Sequence, residues 1–198
     1  MTRRLFLYSD QIDERLAAKL PKGATVGYLP SSPDPERAWF RPCVEFYERL
    51  GLRLKFFGLE TEFEPGSDLF ACDAIHLTGG NTFRFLHWLR ERGLIEGLRR
   101  YEGVLIGVSA GAILMTPDVS TSYLCGDEPF PGLNDLSGLG LVDFAFAPHC
   151  DGNQPDVLAY ARSFPGDVYA VPDGGRIEVD GTRIELFGPA SKVSKTFP

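Results

Sequence analysis

The sequence predicts an α/β fold: a mostly parallel, doubly wound sheet that finishes in a β-hairpin. Three observations carry this. Short apolar runs recur along the chain, and stretches with helical spacing lie between them. Most of the runs are close to continuously apolar, as strands buried on both faces must be, while 52–57 alternates Leu and Phe with basic residues. Near the C-terminus, Asp180-Gly181 separates two strand-like segments and marks a tight hairpin.

The elements follow in order. Residues 4–8 read as a buried strand and 24–29 as a second, with a helix over 11–20 that stops at Pro21. Residues 35–50 read as a helix carrying Trp39, Phe40, Phe46 and Tyr47, and Pro42 inside it predicts a later start or a kink. A strand over 52–57 follows. The next strand, 74–77, runs into Thr78-Gly79-Gly80-Asn81, and 82–98 then reads as one amphipathic helix with Phe85, Leu86, Leu89 and Leu94 on a single face. Strand 104–108 ends at Ser109-Ala110-Gly111, with helix over 112–115. Residues 117–140 are rich in Pro, Gly, Asp and Ser and read as a long surface excursion. Strand 144–147 leads to Pro148-His149, a helix spans 154–164, and strand 168–171 leads to Pro172-Asp173-Gly174-Gly175. The hairpin pairs 176–179 with 182–187. No repeat, low-complexity segment or linker divides the chain, so residues 1–198 read as a single domain.

Composition narrows the function classes. A chain of 198 residues can bury a core without disulfides, and 43% apolar content separates it from disordered chains. The formal charge of −7 opposes binding to phosphate backbones, so nucleic acid is not an expected partner. Cys43, Cys72, Cys125 and Cys150 show no CxxC spacing. That gives no support to a thiolate metal cluster and predicts free thiols in a reducing compartment. The N-terminus lacks the long apolar stretch and cleavage site of a signal peptide, and no run has the length of a membrane span. A cytoplasmic protein without a membrane partner is the expectation. The sequence leaves the oligomeric state open, a homo-oligomer included.

Gly107-Val108-Ser109-Ala110-Gly111 matches G-x-S-x-G at a strand-to-helix turn. Such a turn is tight enough that only small neighbours fit, and it pushes the serine hydroxyl outward as a nucleophile. A serine needs a base. Of the three histidines, His87 falls inside a helix beside Trp88 and His76 inside a buried strand, whereas His149 sits in a loop at a strand end. The orienting acid is expected at Asp173, which shares the strand-then-Pro setting of His149; Asp127, Asp135 and Asp151 are rivals. Gly79-Gly80-Asn81 opens a helix after a strand, where backbone N–H groups can hold an oxyanion or another anion. No P-loop lysine or dinucleotide fingerprint is present.

With Gly79-Gly80-Asn81-Thr82-Phe83, Gly107-Val108-Ser109-Ala110-Gly111, Pro148-His149 and Pro172-Asp173-Gly174, the chain resembles the peptidase E family of aspartyl dipeptidases. The resemblance runs from the first strand to the terminal hairpin. It implies a flavodoxin-like fold akin to class I glutamine amidotransferases, with Ser109 as nucleophile, His149 as base and Asp173 as acid. It implies an oxyanion hole from the Gly80 and Ala110 N–H groups, a small peptide substrate, and no metal or cofactor. Two features depart from the family pattern. The acid is Asp173 where the family typically has Glu, and residues 150–160 carry no Lys or Arg to hold a substrate aspartate. Asn81, Arg84 and Arg176 are therefore the candidate substrate contacts. A cyanophycinase-like or other amide hydrolase, and a non-catalytic binding protein on the same fold, are the alternatives.

Overall fold

The computed structural model describes residues 3–59 and 68–195. Its centre is a seven-stranded sheet built from β1 (Arg4–Tyr8), β2 (Thr25–Leu29), β3 (Arg53–Phe56), β4 (Ala74–Leu77), β5 (Val104–Val108), β8 (Arg176–Asp180) and β9 (Arg183–Phe187). The order is β3-β2-β4-β5-β1-β8-β9. The strands from β3 to β1 run parallel, and β8 and β9 add antiparallel at the β1 edge. β1 shows why both faces are covered. Leu5 and Leu7 join one apolar cluster with Phe85, Leu86 and Leu89, while Phe6 and Tyr8 join another with Leu16 and Tyr47. The clusters belong to opposite faces because successive side chains of a strand point to opposite sides. Helix α1 (Phe40–Arg49) covers the second face, and α2 (Thr82–Glu91), α3 (Ile95–Arg100) and α4 (Ala110–Ile113) cover the first.

Several elements differ from the sequence expectation. The helix over 82–98 is two helices. Gly93 takes a left-handed φ of 64°, its N–H reaches the Arg90 carbonyl at 3.0 Å, and the Leu94 N–H reaches Leu89 at 2.9 Å. This glycine cap ends α2 before α3 begins. The helix over 11–20 is only a 3₁₀ turn, Glu14–Lys19, capped by the Asp13 carboxylate on the Arg15 N–H. Helix α1 starts at Phe40, which puts Pro42 in the first turn, where its missing N–H costs nothing.

Strands β6 (Ala145–Pro148) and β7 (Val168–Val171) do not join the main sheet. With β10 (Ser191–Lys192) they form a separate three-stranded sheet, backed by α5 (Pro155–Ser163). In the main sheet the edge of β1 is taken by the antiparallel strand β8.

The 117–140 segment is also more than a surface excursion. A 3₁₀ turn, Ser120–Cys125, lies inside it, and Val119, Thr121, Ser122 and Leu139 are buried. Its return leg is stitched to the end of α4, with Leu139 N–H on the Leu114 carbonyl at 2.7 Å and Leu141 N–H on Met115 at 2.8 Å. The expected hairpin forms, but its turn is Gly181-Thr182, one residue later than the Asp180-Gly181 read from the sequence, with Asp180 opposite Arg183 and Gly181 at φ 60°. Among the described residues no helix is long and apolar enough to cross a membrane.

Candidate active site

Ser109 stands between the end of β5 and the start of α4 with φ 47° and ψ −107°, a backbone conformation rare for a residue with a side chain. The flanking glycines make it achievable. A Cβ on Gly107 would come within 2.6 Å of the Ala112 nitrogen, and one on Gly111 would collide with the Leu77 carbonyl. The turn is fixed by Ser109 N–H on the Tyr8 carbonyl at 2.9 Å and Gly111 N–H on the Thr78 carbonyl at 3.1 Å. Those two bonds tie the serine to both neighbouring strands, β1 and β4.

His149 follows β6 and is likewise left-handed, with φ 59°. Its Nε2 lies 2.9 Å from Ser109 Oγ, and its Nδ1 lies 2.6 Å from Asp173 Oδ1, just beyond β7. Ser109, His149 and Asp173 thus form one continuous hydrogen-bonded chain. The His149 ring is about one-third exposed, so the site opens to solvent. Asp127, Asp135 and Asp151 are engaged elsewhere. The Asp127 carboxylate accepts the Thr82 N–H, Asp135 pairs with Arg90, and Asp151 accepts the Asn153 N–H.

The turn after β4 lies against the serine: a side chain on Gly79 would reach 3.7 Å from Ser109 Cβ. Gly80 has φ 132° and abuts Ser31, so no side chain fits there. Among the described residues the N–H groups of Gly80 and Ala110 meet no acceptor. Asn81 caps α2: its Oδ1 accepts the Arg84 N–H at 2.9 Å while its Nδ2 donates to the Glu128 carbonyl at 2.9 Å. Both ends of its amide are occupied. Arg84 is exposed in the first turn of α2. Arg176 is engaged by other groups. It is buried on β8 with Nη1 2.6 Å from Asp13 and Nε 2.9 Å from Glu178, and its guanidinium lies over the Phe187 ring.

The other histidines are packing residues. His76 is buried against Tyr28 and Tyr47, and burial drives its pKa down to about 3, which keeps it neutral. His87 stacks on Phe130. The Cys125 thiol, donating to the Pro148 carbonyl at 3.4 Å, is pushed up in pKa by its interaction with Cys150 and then by burial. All four cysteines are free, and among the described residues no cluster of metal-binding side chains occurs.

Two residues that sequence reasoning passed over complete the site. Ser9, directly after β1, is fully buried; its Oγ accepts the His149 N–H at 3.0 Å and donates to Asp173 Oδ1 at 3.3 Å. Asp10 accepts the Gly174 N–H at 2.9 Å, which ties down the loop that carries Asp173.

Comparison with known proteins identifies the family. The profile of Peptidase family S51 matches residues 3–187. An uncharacterised peptidase of Listeria monocytogenes is 30% identical over 137 residues, covering 65% of this chain and 66% of that protein. Peptidase E of Salmonella typhimurium is 30% identical over 148 residues, covering 67% of this chain and 62% of that enzyme. The matches thus span about two thirds or less of these relatives. In fold, the crystal structure of a Listeria monocytogenes protein proposed to be a peptidase E superposes with a TM-score of 0.75 at 24% identity, over 94% of this chain and 98% of that one. Because the family profile runs from the first strand through the terminal hairpin, the chain belongs to peptidase family S51.

Proposed function

We propose that the protein is a serine peptidase that cleaves dipeptides or other small peptides through an acyl-enzyme. One observation carries this reading: the hydrogen-bonded chain from Asp173 through His149 to Ser109, 2.6 and 2.9 Å long at its two links, ending on a serine in a strained, outward-facing turn. His149 Nε2 takes the Ser109 proton as Oγ attacks the carbonyl carbon. The Gly80 and Ala110 N–H groups, which have no acceptor of their own among the described residues, receive the oxyanion. Collapse breaks the C–N bond, and the amine leaves with the proton from His149. Water then attacks the acyl group by the reverse proton path. Asp173 holds Nδ1 and the imidazolium formed on each half-reaction. Each of these steps draws on protein groups and water alone.

An N-terminal aspartate on the substrate would find its counter-charge in Arg84, since Arg176 is bound to two carboxylates and residues 150–160 contain Asp151 and Asp156 but no Lys or Arg. The same acidic segment supports a second reading, hydrolysis of other small amides. A panel of dipeptides, Asp-Leu and Lys-Leu included, together with non-peptide amides separates the two. Release of amine from dipeptides by the wild type and not by Ser109→Ala supports the peptidase. Turnover of other amides alone supports the second reading.

A further inference from the structure

The serine and the other two members of the candidate triad stand on different sheets. Ser109 ends β5 of the seven-stranded sheet, whereas His149 and Asp173 follow β6 and β7 of the three-stranded one. The gap between Ser109 Oγ and His149 Nε2 therefore depends on how the two sheets are held together at this point. The end of β1 spans that seam. Tyr8 accepts the Ser109 N–H, and the next residue, Ser9, sends its side chain across to the other sheet. There its Oγ accepts from the His149 backbone and donates to Asp173, while its own N–H bonds the Gly175 carbonyl at 3.1 Å. We infer that Ser9 is a positioning residue that sets the acid and the base in register with the nucleophile across the seam between the sheets.

The chemistry of the contacts fits that role. A serine hydroxyl can donate once and accept at the same time, and here each capacity is used on a different member of the acid–base pair. The bond to the His149 N–H falls on a residue at φ 59°, a conformation that the surroundings must hold in place. The bond to Asp173 falls on Oδ1, the same oxygen that receives His149 Nδ1, so it fixes the direction from which the acid approaches the ring. The main-chain bond from His149 N–H to the Val171 carbonyl at 3.0 Å persists without the hydroxyl, so the loop keeps an anchor when Ser9 is altered. Losing the hydroxyl thus loosens alignment rather than unfolding the site. Misplacements on the order of 1 Å can cost about 100-fold in rate.

The effect of Ser9 on catalysis rests on Ser109, His149 and Asp173 acting as proposed above, whereas its hold on the His149–Asp173 pair does not, and the test separates the two claims. Ser9→Ala and the nearly isosteric Ser9→Cys, whose thiol is a weak hydrogen-bond former, are compared with the wild type in two measurements. The first is kcat and KM on the best substrate of the dipeptide and amide panel. The expected result is a kcat about 10- to 100-fold lower with KM changed by less than about 2-fold. The second needs no substrate: the downfield proton resonance of His149 Nδ1–H, assigned by its loss in Asp173→Ala. In both Ser9 variants it should weaken or shift, while a urea melt stays cooperative. If either folded variant keeps the wild-type kcat and an unchanged resonance, the inference is overturned, and one folded variant suffices if the other does not fold. A wild type that cleaves nothing in the panel defeats the peptidase reading instead, and the resonance still decides whether Ser9 positions the pair.

Discussion

Ser109 Oγ lies 2.9 Å from His149 Nε2 although the two residues are 40 positions apart and belong to different sheets. The proposed nucleophile follows a strand of the main sheet, and the proposed base and acid both follow strands of the small one. Replacing Asp173 with Asn isolates the acid's part. The side chain keeps its size but cannot orient the neutral ring with its Nδ1 proton inward or stabilise the imidazolium. The expected result is a kcat about 10³- to 10⁴-fold lower at neutral pH with little change in the melting midpoint. Steady-state kinetics on a cleaved dipeptide check it.

The turn that bears Ser109 has no room for a side chain at Gly111. A Cβ there would press into the Leu77 carbonyl, which is backbone and cannot rotate away. Gly111→Ala should therefore destabilise the protein by about 1–3 kcal/mol and also displace Ser109. Gly126→Ala is the control for the loss of a glycine: a Cβ there meets nothing, and only its left-handed φ of 77° opposes the change. Urea melts of the two variants should show the larger loss at Gly111, together with loss of hydrolysis.

The two arginines near the site loops should separate cleanly. Removing Arg176 leaves the buried Glu178 with Lys19 alone and Asp13 without its partner. Arg176→Met should thus cost on the order of 3 kcal/mol in stability, while the folded enzyme retains its kcat. Arg84 is exposed, so Arg84→Ala should leave stability within about 0.5 kcal/mol. Its effect should appear as a higher KM for dipeptides beginning with Asp and not for those beginning with Lys. Equal KM changes for both substrates would remove Arg84 from substrate recognition.

His76 makes the fold acid-sensitive. Burial lowers its pKa from 6.5 to about 3, so between those values the unfolded chain binds a proton that the folded one does not. Stability from this residue is full above pH 6.5 and is lost as pH falls toward 3. From pH 7 to pH 5 the loss amounts to about 2 kcal/mol. His76→Gln removes the titration, and the drop in urea midpoint between pH 7 and pH 5 should shrink by that amount. An unchanged drop would place the acid sensitivity in other groups.

Much of this arrangement was legible in the chain. The glycines at 107 and 111 mark the turn because only glycine fits beside Leu77 and Ala112, and His149 and Asp173 stand out by their shared position after a strand and a proline. Gly93 is a helix stop that the single-helix reading of 82–98 runs through, because its apolar face continues to Leu94. Three things were not legible. Strands 144–147 and 168–171 have the same apolar character as those of the main sheet, and no local pattern tells which sheet an apolar strand joins. Ser9 is an ordinary serine after a strand, and its partners His149 and Asp173 lie 140 and 164 residues away, so its role exists only in the folded chain. Asn81 and Arg176, read as substrate contacts from their neighbours, are occupied by a helix cap and a buried ion-pair network, choices that local sequence does not settle.

Covalent labelling tests the proposed nucleophile most directly. The wild type, Ser109→Ala and His149→Ala are treated with a fluorophosphonate, and the adduct is located by peptide mass mapping. If Ser109 is the nucleophile and His149 its base, one adduct forms, on Ser109, in the wild type, none forms in Ser109→Ala, and labelling is at least about 100-fold slower in His149→Ala. An adduct on another residue, or labelling of Ser109 at the same rate without His149, would contradict that assignment.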